Sequence, residues 1–183
     1  MLKTLRLFFF RRALRHTLAA QKRRRKTHTI GSAQSVGLLF DATEEKNRRE
    51  VLAFAATLEK QRKKVRLLGF VDLKKPLGQT VFPQFTQKEL RWNGIPQGEA
   101  VQAFVAERFD LLIGLNAGQL PTLEWIAAAS QAGMKIGTPT AYPNDFDMVL
   151  ETPAAKGIPY FVDQLDLYLD KIVLSNHEPA TAL

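Results

Sequence analysis

The chain contains no cysteine, so disulfides, thiolate metal sites and cysteine nucleophiles are excluded. Histidine is scarce: His16 and His28 lie near the N-terminus, His177 lies near the C-terminus, and the centre of the chain has none. No HxxH or HExxH spacing exists, so we expect no metal site. No apolar run approaches the roughly 18 residues of a membrane-spanning helix. The N-terminal run Leu7–Phe10 is too short for the core of a signal peptide.

Glycine-rich phosphate loops are also missing, because the sequence has neither a GxGxxG nor a GxxxxGK[ST] motif. The first predicted strand is instead followed by the residues FDATEE at positions 40–45. Two glutamates at the start of the next helix would repel a phosphate. We therefore expect no dinucleotide or triphosphate and no other cofactor.

Acidic residues are absent from the first 40 positions, and the first of them is Asp41. The remainder of the chain after residue 28 carries 16 basic and 18 acidic residues, so the formal charge of +8 belongs to the N-terminus. This asymmetry predicts a polyanionic partner, either nucleic acid or an anionic membrane surface. Ten cationic residues are the candidate RNA contacts: Lys3, Arg6, Arg11, Arg12, Arg15, Lys22, Arg23, Arg24, Arg25 and Lys26.

Residues 1–30 are predicted to form a basic arm, helical and ordered by its partner, because neither Gly nor Pro precedes Gly31. At helical spacing its apolar residues form two narrow stripes separated by cations. One stripe is Leu2, Leu5, Phe9 and Ala13, and the other is Leu7, Phe10, Leu14 and Leu18. Two stripes favour a helix wedged between two surfaces over a helix lying flat on a membrane. The arm is expected to contribute almost nothing to the core.

The run from Lys22 to Lys26 contains five consecutive cations, which gain most beside phosphates. Arginine pairs with phosphate through two hydrogen bonds and stacks on bases. A solvated basic linker is the alternative interpretation. A mitochondrial transit peptide is a further alternative, because such peptides are also rich in arginine and free of acids.

Residues 31–175 alternate between strand and helix patterns and predict a Rossmann-like three-layer α/β domain with a mostly parallel sheet. Residues 176–183 are predicted to be a flexible tail. Strands are predicted at 35–41, 64–72, 80–85, 110–116, 134–137 and 148–151. Helices are predicted after Thr43, which is a good N-cap, and at 99–109, 121–132 and 158–172.

Parallel sheets of this class bind ligands at the carboxyl ends of their strands, so Asp41, Thr43 and Asn116 are the candidate ligand pocket. No second catalytic group is evident there, and Asp41 is expected to cap the next helix. Asp145 and Asp147 could share a proton or bind a cation, although an exposed loop is the more common outcome. Trp92 could stack on a base or pack over the edge of the sheet.

Several motifs together resemble an uncharacterised family of small α/β proteins from the Bacteroidota lineage. They are Val36–Thr43, Gly69–Asp72, Trp92–Pro96 and Phe109–Leu115. The resemblance covers about residues 1–172 and implies the fold and a bacterial cytoplasm, but no activity. Residues 109–137 also bear a weaker likeness to a half-domain of two-domain glycosyltransferases.

These patterns predict a non-enzymatic RNA-binding accessory protein of the cytoplasm, associated with the ribosome. The arm would contact ribosomal RNA, and the α/β domain would dock on RNA or ribosomal proteins. One alternative is a peripheral protein on the inner face of the cytoplasmic membrane, held by the Phe/Arg segment. A further alternative is an enzyme with a small-molecule site at the carboxyl ends of the strands.

Overall fold

A computed structural model describes residues 2–116, 120–153 and 156–175, without the side chains of residues 2, 3, 170 and 172–175. The predicted flexible tail at 176–183 lies outside the described residues. None of the helices in the described part of the chain is both long and apolar enough to cross a membrane.

Six strands form one sheet in the order β3-β2-β1-β4-β5-β6, and every pair of neighbours is parallel. The strands are β1 (Ser35–Asp41), β2 (Lys64–Val71), β3 (Gln84–Thr86), β4 (Leu111–Leu115), β5 (Met134–Gly137) and β6 (Met148–Val149). This order confirms the predicted Rossmann-like α/β fold and places the topological switch point between β1 and β4.

Helices cover both faces of the sheet. They are α1 (Leu2–Ala20), α2 (Glu45–Lys60), α3 (Glu99–Ala106), α4 (Pro121–Ala129) and α5 (Gly157–Ser175). On one face α2 and α5 pack on β1 side chains such as Leu38 and Phe40. On the other face α3 and α4 pack on Leu39 and on β2 and β4. The side chains of a strand alternate between faces, which gives the sheet two separate apolar layers.

Helix α1 forms an additional layer outside α4. Phe10 and Leu14 are buried and pack on Ala128 of α4, with Leu18 and Tyr142 beside them. Of the two predicted stripes, the one containing Phe10 and Leu14 therefore faces the domain. The expectation that these residues contribute almost nothing to the core is wrong, because cations on the other faces of α1 leave this stripe uninterrupted.

Helix α2 starts differently from the prediction. Its N-cap is Glu44, without a side-chain cap, and Thr43 does not cap it. The Thr43 hydroxyl instead accepts a hydrogen bond from the backbone N–H of Asp72 at 2.9 Å. This bond joins the ends of β1 and β2, so the hydroxyl is used between strands rather than along its own helix.

Candidate nucleic-acid interface

The predicted cations fall into two groups on the surface. Along α1 the side chains of Arg6, Arg11, Arg12 and Arg15 are exposed, and the side chain of Lys3 lies outside the described residues. The second group follows α1 and comprises the exposed side chains of Lys22, Arg24, Arg25 and Lys26. A 19-residue helix is about 28 Å long, so the cations extend along one side of the domain.

The second group lies at the amino end of the sheet because its backbone is tied there. The Gln21 side-chain amide donates to the carbonyl of Ala128 at the end of α4. The Lys26 N–H donates to the Gly133 carbonyl at 3.1 Å, immediately before β5. The segment from Lys22 to Lys26 is therefore extended across the edge where the parallel strands begin.

Arg23 is the exception among these cations, because only 3% of its side chain is exposed. Its guanidinium contacts Asp145 at 3.1 Å and Asp147 at 2.9 Å, and it also donates to the carbonyls of Ala132 and Gly133. Arginine has five N–H donors, and a further hydrogen bond to the Asp145 carbonyl at 2.7 Å brings all five into use. The prediction that Arg23 contacts RNA is therefore set aside, since its side chain already holds the segment from Lys22 to Lys26 against the domain.

Lys135 completes this cluster from strand β5. Its side chain is fully buried, and its ammonium lies 2.8 Å from Asp145. Burial lowers the pKa of Lys135 to about 8, against the opposing attraction of Asp145. The positive charges of Arg23 and Lys135 balance the negative charges of the two carboxylates, which is the condition under which buried charges are tolerated.

Asp145 and Asp147 lie in the loop before β6, and neither carboxylate is free for a bound cation, because both pair with cationic side chains. Phe146 between them sits against Gly137, where an added Cβ would lie 2.6 Å from the ring. The absence of a side chain at Gly137 lets the loop approach β5, and this approach brings the two carboxylates to Arg23. In the described part of the chain no group of three His, Asp or Glu residues could hold a metal ion.

The exposed members of the second group border an open concavity of about 680 Å³. The loop before β4 adds a further exposed cation, Arg108. Asp110 also lines the concavity, but its carboxylate accepts hydrogen bonds from the N–H groups of Gln34 and Ser35 at 2.8 and 3.0 Å. Arg108 is not among the predicted RNA contacts, although its place just before a predicted strand assigns it to this edge.

His28 also lines the concavity but is not one of its cations. Burial lowers its pKa, although Asp110 at 3.9 Å opposes that shift. His28 is therefore neutral at pH 7. It packs where the chain passes β5, and its backbone N–H donates to the sulfur of Met134.

Exposed aromatic residues form a separate patch on the first half of α1. Phe8 is 58% exposed and Trp92 is 64% exposed, with Phe9 between them at ring-centroid distances of 5.5 and 5.2 Å. Leu5 is half exposed beside them. Leu5 and Phe9 belong to the predicted stripe that faces away from the domain, and Trp92 contacts Phe9.

Two residues of the predicted ligand pocket at the carboxyl end of the sheet, Asp41 and Thr43, are engaged in local hydrogen bonds. The Asp41 carboxylate accepts from the Thr43 N–H at 2.9 Å, and Thr43 holds Asp72 as described above. Asn116 follows Leu115, which pairs with Phe40 of β1, but it lines a cavity of only about 10 Å³ with Thr152. A space of that size holds at most one water molecule. Residues 117–119 lie outside the described residues.

Comparison with known proteins gives a family but no function. Residues 6–172 match the family DUF6913, which is described as a family of unknown function. No curated protein and no solved structure matches the chain.

Proposed function

Because this chain belongs to DUF6913, a family whose function is unknown, we propose its function from the geometry. We propose that it is a non-enzymatic RNA-binding accessory protein, associated with the ribosome and acting in the cytoplasm. One observation carries the proposal: Lys22, Arg24, Lys26 and Arg108 are exposed together around one concavity at the amino end of the sheet. The Bacteroidota lineage and the glycosyltransferase likeness stay predictions.

Phosphate is the chemistry that fits this concavity. Adjacent cations repel one another in the free protein, and each phosphate that they neutralise releases counterions. The segment from Lys22 to Lys26 has no aromatic side chain to stack on a base. Its contacts are therefore expected to be to the RNA backbone, which supplies affinity without strong dependence on sequence.

The test is a salt titration of binding to a structured RNA hairpin. With six or more phosphate contacts, the wild type should lose roughly 10³-fold or more in affinity between about 50 and 200 mM salt. The triple variant Lys22→Gln, Arg24→Gln, Lys26→Gln should bind more weakly and with a smaller salt slope. Its control is Lys74→Gln, Lys75→Gln, Lys88→Gln, which removes three exposed cations after β2 and β3. Affinity that stays flat with salt contradicts the proposal.

A peripheral membrane protein is the second candidate, and the exposed aromatic patch favours it. Leu5, Phe8 and Trp92 present apolar surface to solvent, with the exposed cations Arg6 and Arg12 on the same helix. Aromatic side chains with arginines suit the interface of an anionic bilayer. Flotation with vesicles containing phosphatidylserine distinguishes this candidate from RNA binding.

For the enzyme alternative, Asp41 is the residue to change. Its carboxylate binds the Thr43 N–H, and Asn at this position keeps an oxygen acceptor. Asp41→Asn should therefore leave cellular function intact. Loss of function in a variant that unfolds like the wild type would favour an enzyme.

A further inference from the structure

The turn between α2 and β2 carries a second set of cations at the same end of the sheet. Lys60, Arg62 and Lys64 are exposed there, and Lys63 is half-buried. In a parallel sheet the residues that precede the strands all lie at one edge, so this turn is on the same edge as Arg108 and Lys26. None of the ten predicted RNA contacts comes from this turn.

The cations of this turn and those around the concavity are joined by the segment of chain between Lys26 and β1. The Lys63 ammonium donates to the Gly31 carbonyl at 2.7 Å, and the Lys64 N–H donates to the Gln34 carbonyl at 2.8 Å. Strand β1 lies between β2 and β4, and β5 follows β4. With strands spaced about 4.8 Å apart, the edge from Lys64 to Lys26 extends for roughly 15 Å.

Arg62 occupies a backbone conformation that favours glycine. Its φ is 62°, and among the described residues no other non-glycine residue has positive φ. The turn closes α2 with paired bonds, from the Arg62 N–H to the Glu59 carbonyl and from the Lys63 N–H to the Leu58 carbonyl. This is the Schellman arrangement, in which the position of Arg62 is usually glycine. Glycine at this position would adopt the same backbone conformation with less strain, so the exposed arginine brings no advantage to the fold.

Helix polarity is the simpler explanation for cations at this turn, because they offset the negative end of α2. That effect accounts for Lys60 in the last turn of the helix. It does not account for Lys64, which is exposed at the start of β2. Nor does it account for the strained backbone at Arg62. A contact of the exposed Arg62 side chain outside the chain would explain why arginine occupies this position.

We propose that Lys60, Arg62 and Lys64 form a second phosphate-binding site for the same RNA, continuous with the concavity around Arg108. This inference rests on the proposed RNA-binding function. The turn, KQRKK at positions 60–64, contains no aromatic residue. It therefore contacts the phosphates of structured RNA and does not read bases.

Arg62→Gly separates binding from folding, because it removes the cation and relieves the strain together. Its midpoint of thermal unfolding should equal or exceed that of the wild type. Its affinity for an RNA hairpin should fall, with a salt slope lower by about one. The triple variant Lys60→Gln, Arg62→Gln, Lys64→Gln should lower the slope by about three. Lys74→Gln, Lys75→Gln, Lys88→Gln removes equal charge at the opposite edge and should change the slope little.

Two results overturn the inference while the proposed function stands. In the first, the wild type binds RNA, and the variant changed at Lys22, Arg24 and Lys26 binds it more weakly. The variant changed at Lys60, Arg62 and Lys64, however, binds RNA like the control changed at Lys74, Lys75 and Lys88. In the second, Arg62→Gly lowers the unfolding midpoint and leaves RNA affinity unchanged, which assigns Arg62 a structural role. If the wild type itself shows no salt-dependent RNA binding, the proposed function and this inference both fail.

Discussion

Arg23 and Arg24 are neighbours in sequence with opposite environments, which gives a prediction at the scale of the residue. Among the described residues, Arg23→Gln leaves Asp145 paired with Lys135 and leaves Asp147 paired only with the exposed Arg25, so unfolding free energy should fall by about 3 kcal/mol or more. Arg24→Gln, at an exposed position, should change it by less than about 0.5 kcal/mol. Urea denaturation of both variants checks this. Equal stability would show that Arg23 is not held by the cluster.

Glu124 on α4 gives a prediction about pH. It is 5% exposed, its carboxylate has no hydrogen-bond partner among the described residues, and burial raises its pKa to about 7. The folded state therefore binds more protons than the unfolded state between pH 4.5 and 7, and stability falls as pH rises through that window. Glu124→Gln should stabilise the protein at pH 8 by about 3 kcal/mol more than at pH 4.

Thermal unfolding across that pH range measures the effect of Glu124. The control is Glu59→Gln on α2, where the side chain is exposed. If Glu124→Gln and Glu59→Gln have the same pH dependence as the wild type, then Glu124 does not carry a buried charge at pH 8.

At the scale of the element, helix α1 is part of the folded domain. Phe10 is 3% exposed and packs on Tyr142 at 5.6 Å between ring centroids. Phe10→Ala should therefore cost about 3 kcal/mol of unfolding free energy. Phe8→Ala, two residues earlier and 58% exposed, is the matched control and should cost less than about 0.5 kcal/mol. A similar small loss for both would mean that α1 does not pack on α4 in solution.

Deleting residues 1–28 should consequently weaken the domain rather than leave it intact. The deletion removes Phe10 and Leu14 from the surface of α4. It also removes Arg23, which leaves the carboxylates at 145 and 147 with less positive charge. We expect the truncated chain to unfold at a lower temperature than the full chain, measured by circular dichroism. An unchanged midpoint would restore the expectation of an independent arm.

The elements of the domain were predictable because their signals are local. Strands β1 and β5 have the bounds that their apolar runs predict, and the boundaries of α3 and α4 differ by three residues at their C-termini. The environment of α1 was not predictable, because two similar stripes do not say which one meets α4. The pairing of Arg23 with Asp145 was not predictable either, since 122 positions separate the two residues and the sheet order brings them together.

At the scale of the whole molecule, the exposed cations at the amino end of the sheet and the exposed aromatic residues on the first half of α1 occupy different places, so two variants distinguish the candidate partners. The cation variant changes the amino end of the sheet and carries Lys22→Gln, Arg24→Gln and Lys26→Gln. The aromatic variant changes the first half of α1 and carries Leu5→Ser and Phe8→Ser. Phe10 is left unchanged because it is buried. The wild type should sediment with ribosomal particles at low salt and leave them at high salt.

The cation variant should lose this sedimentation, because it removes phosphate contacts, while the aromatic variant should keep it. With phosphatidylserine vesicles the membrane candidate predicts the reverse, since Leu5 and Phe8 would supply the inserted apolar surface. Both variants change exposed side chains, and their unfolding midpoints should match that of the wild type. If the aromatic variant loses the partner and the cation variant keeps it, RNA binding is the wrong function and the first half of α1 is a membrane anchor.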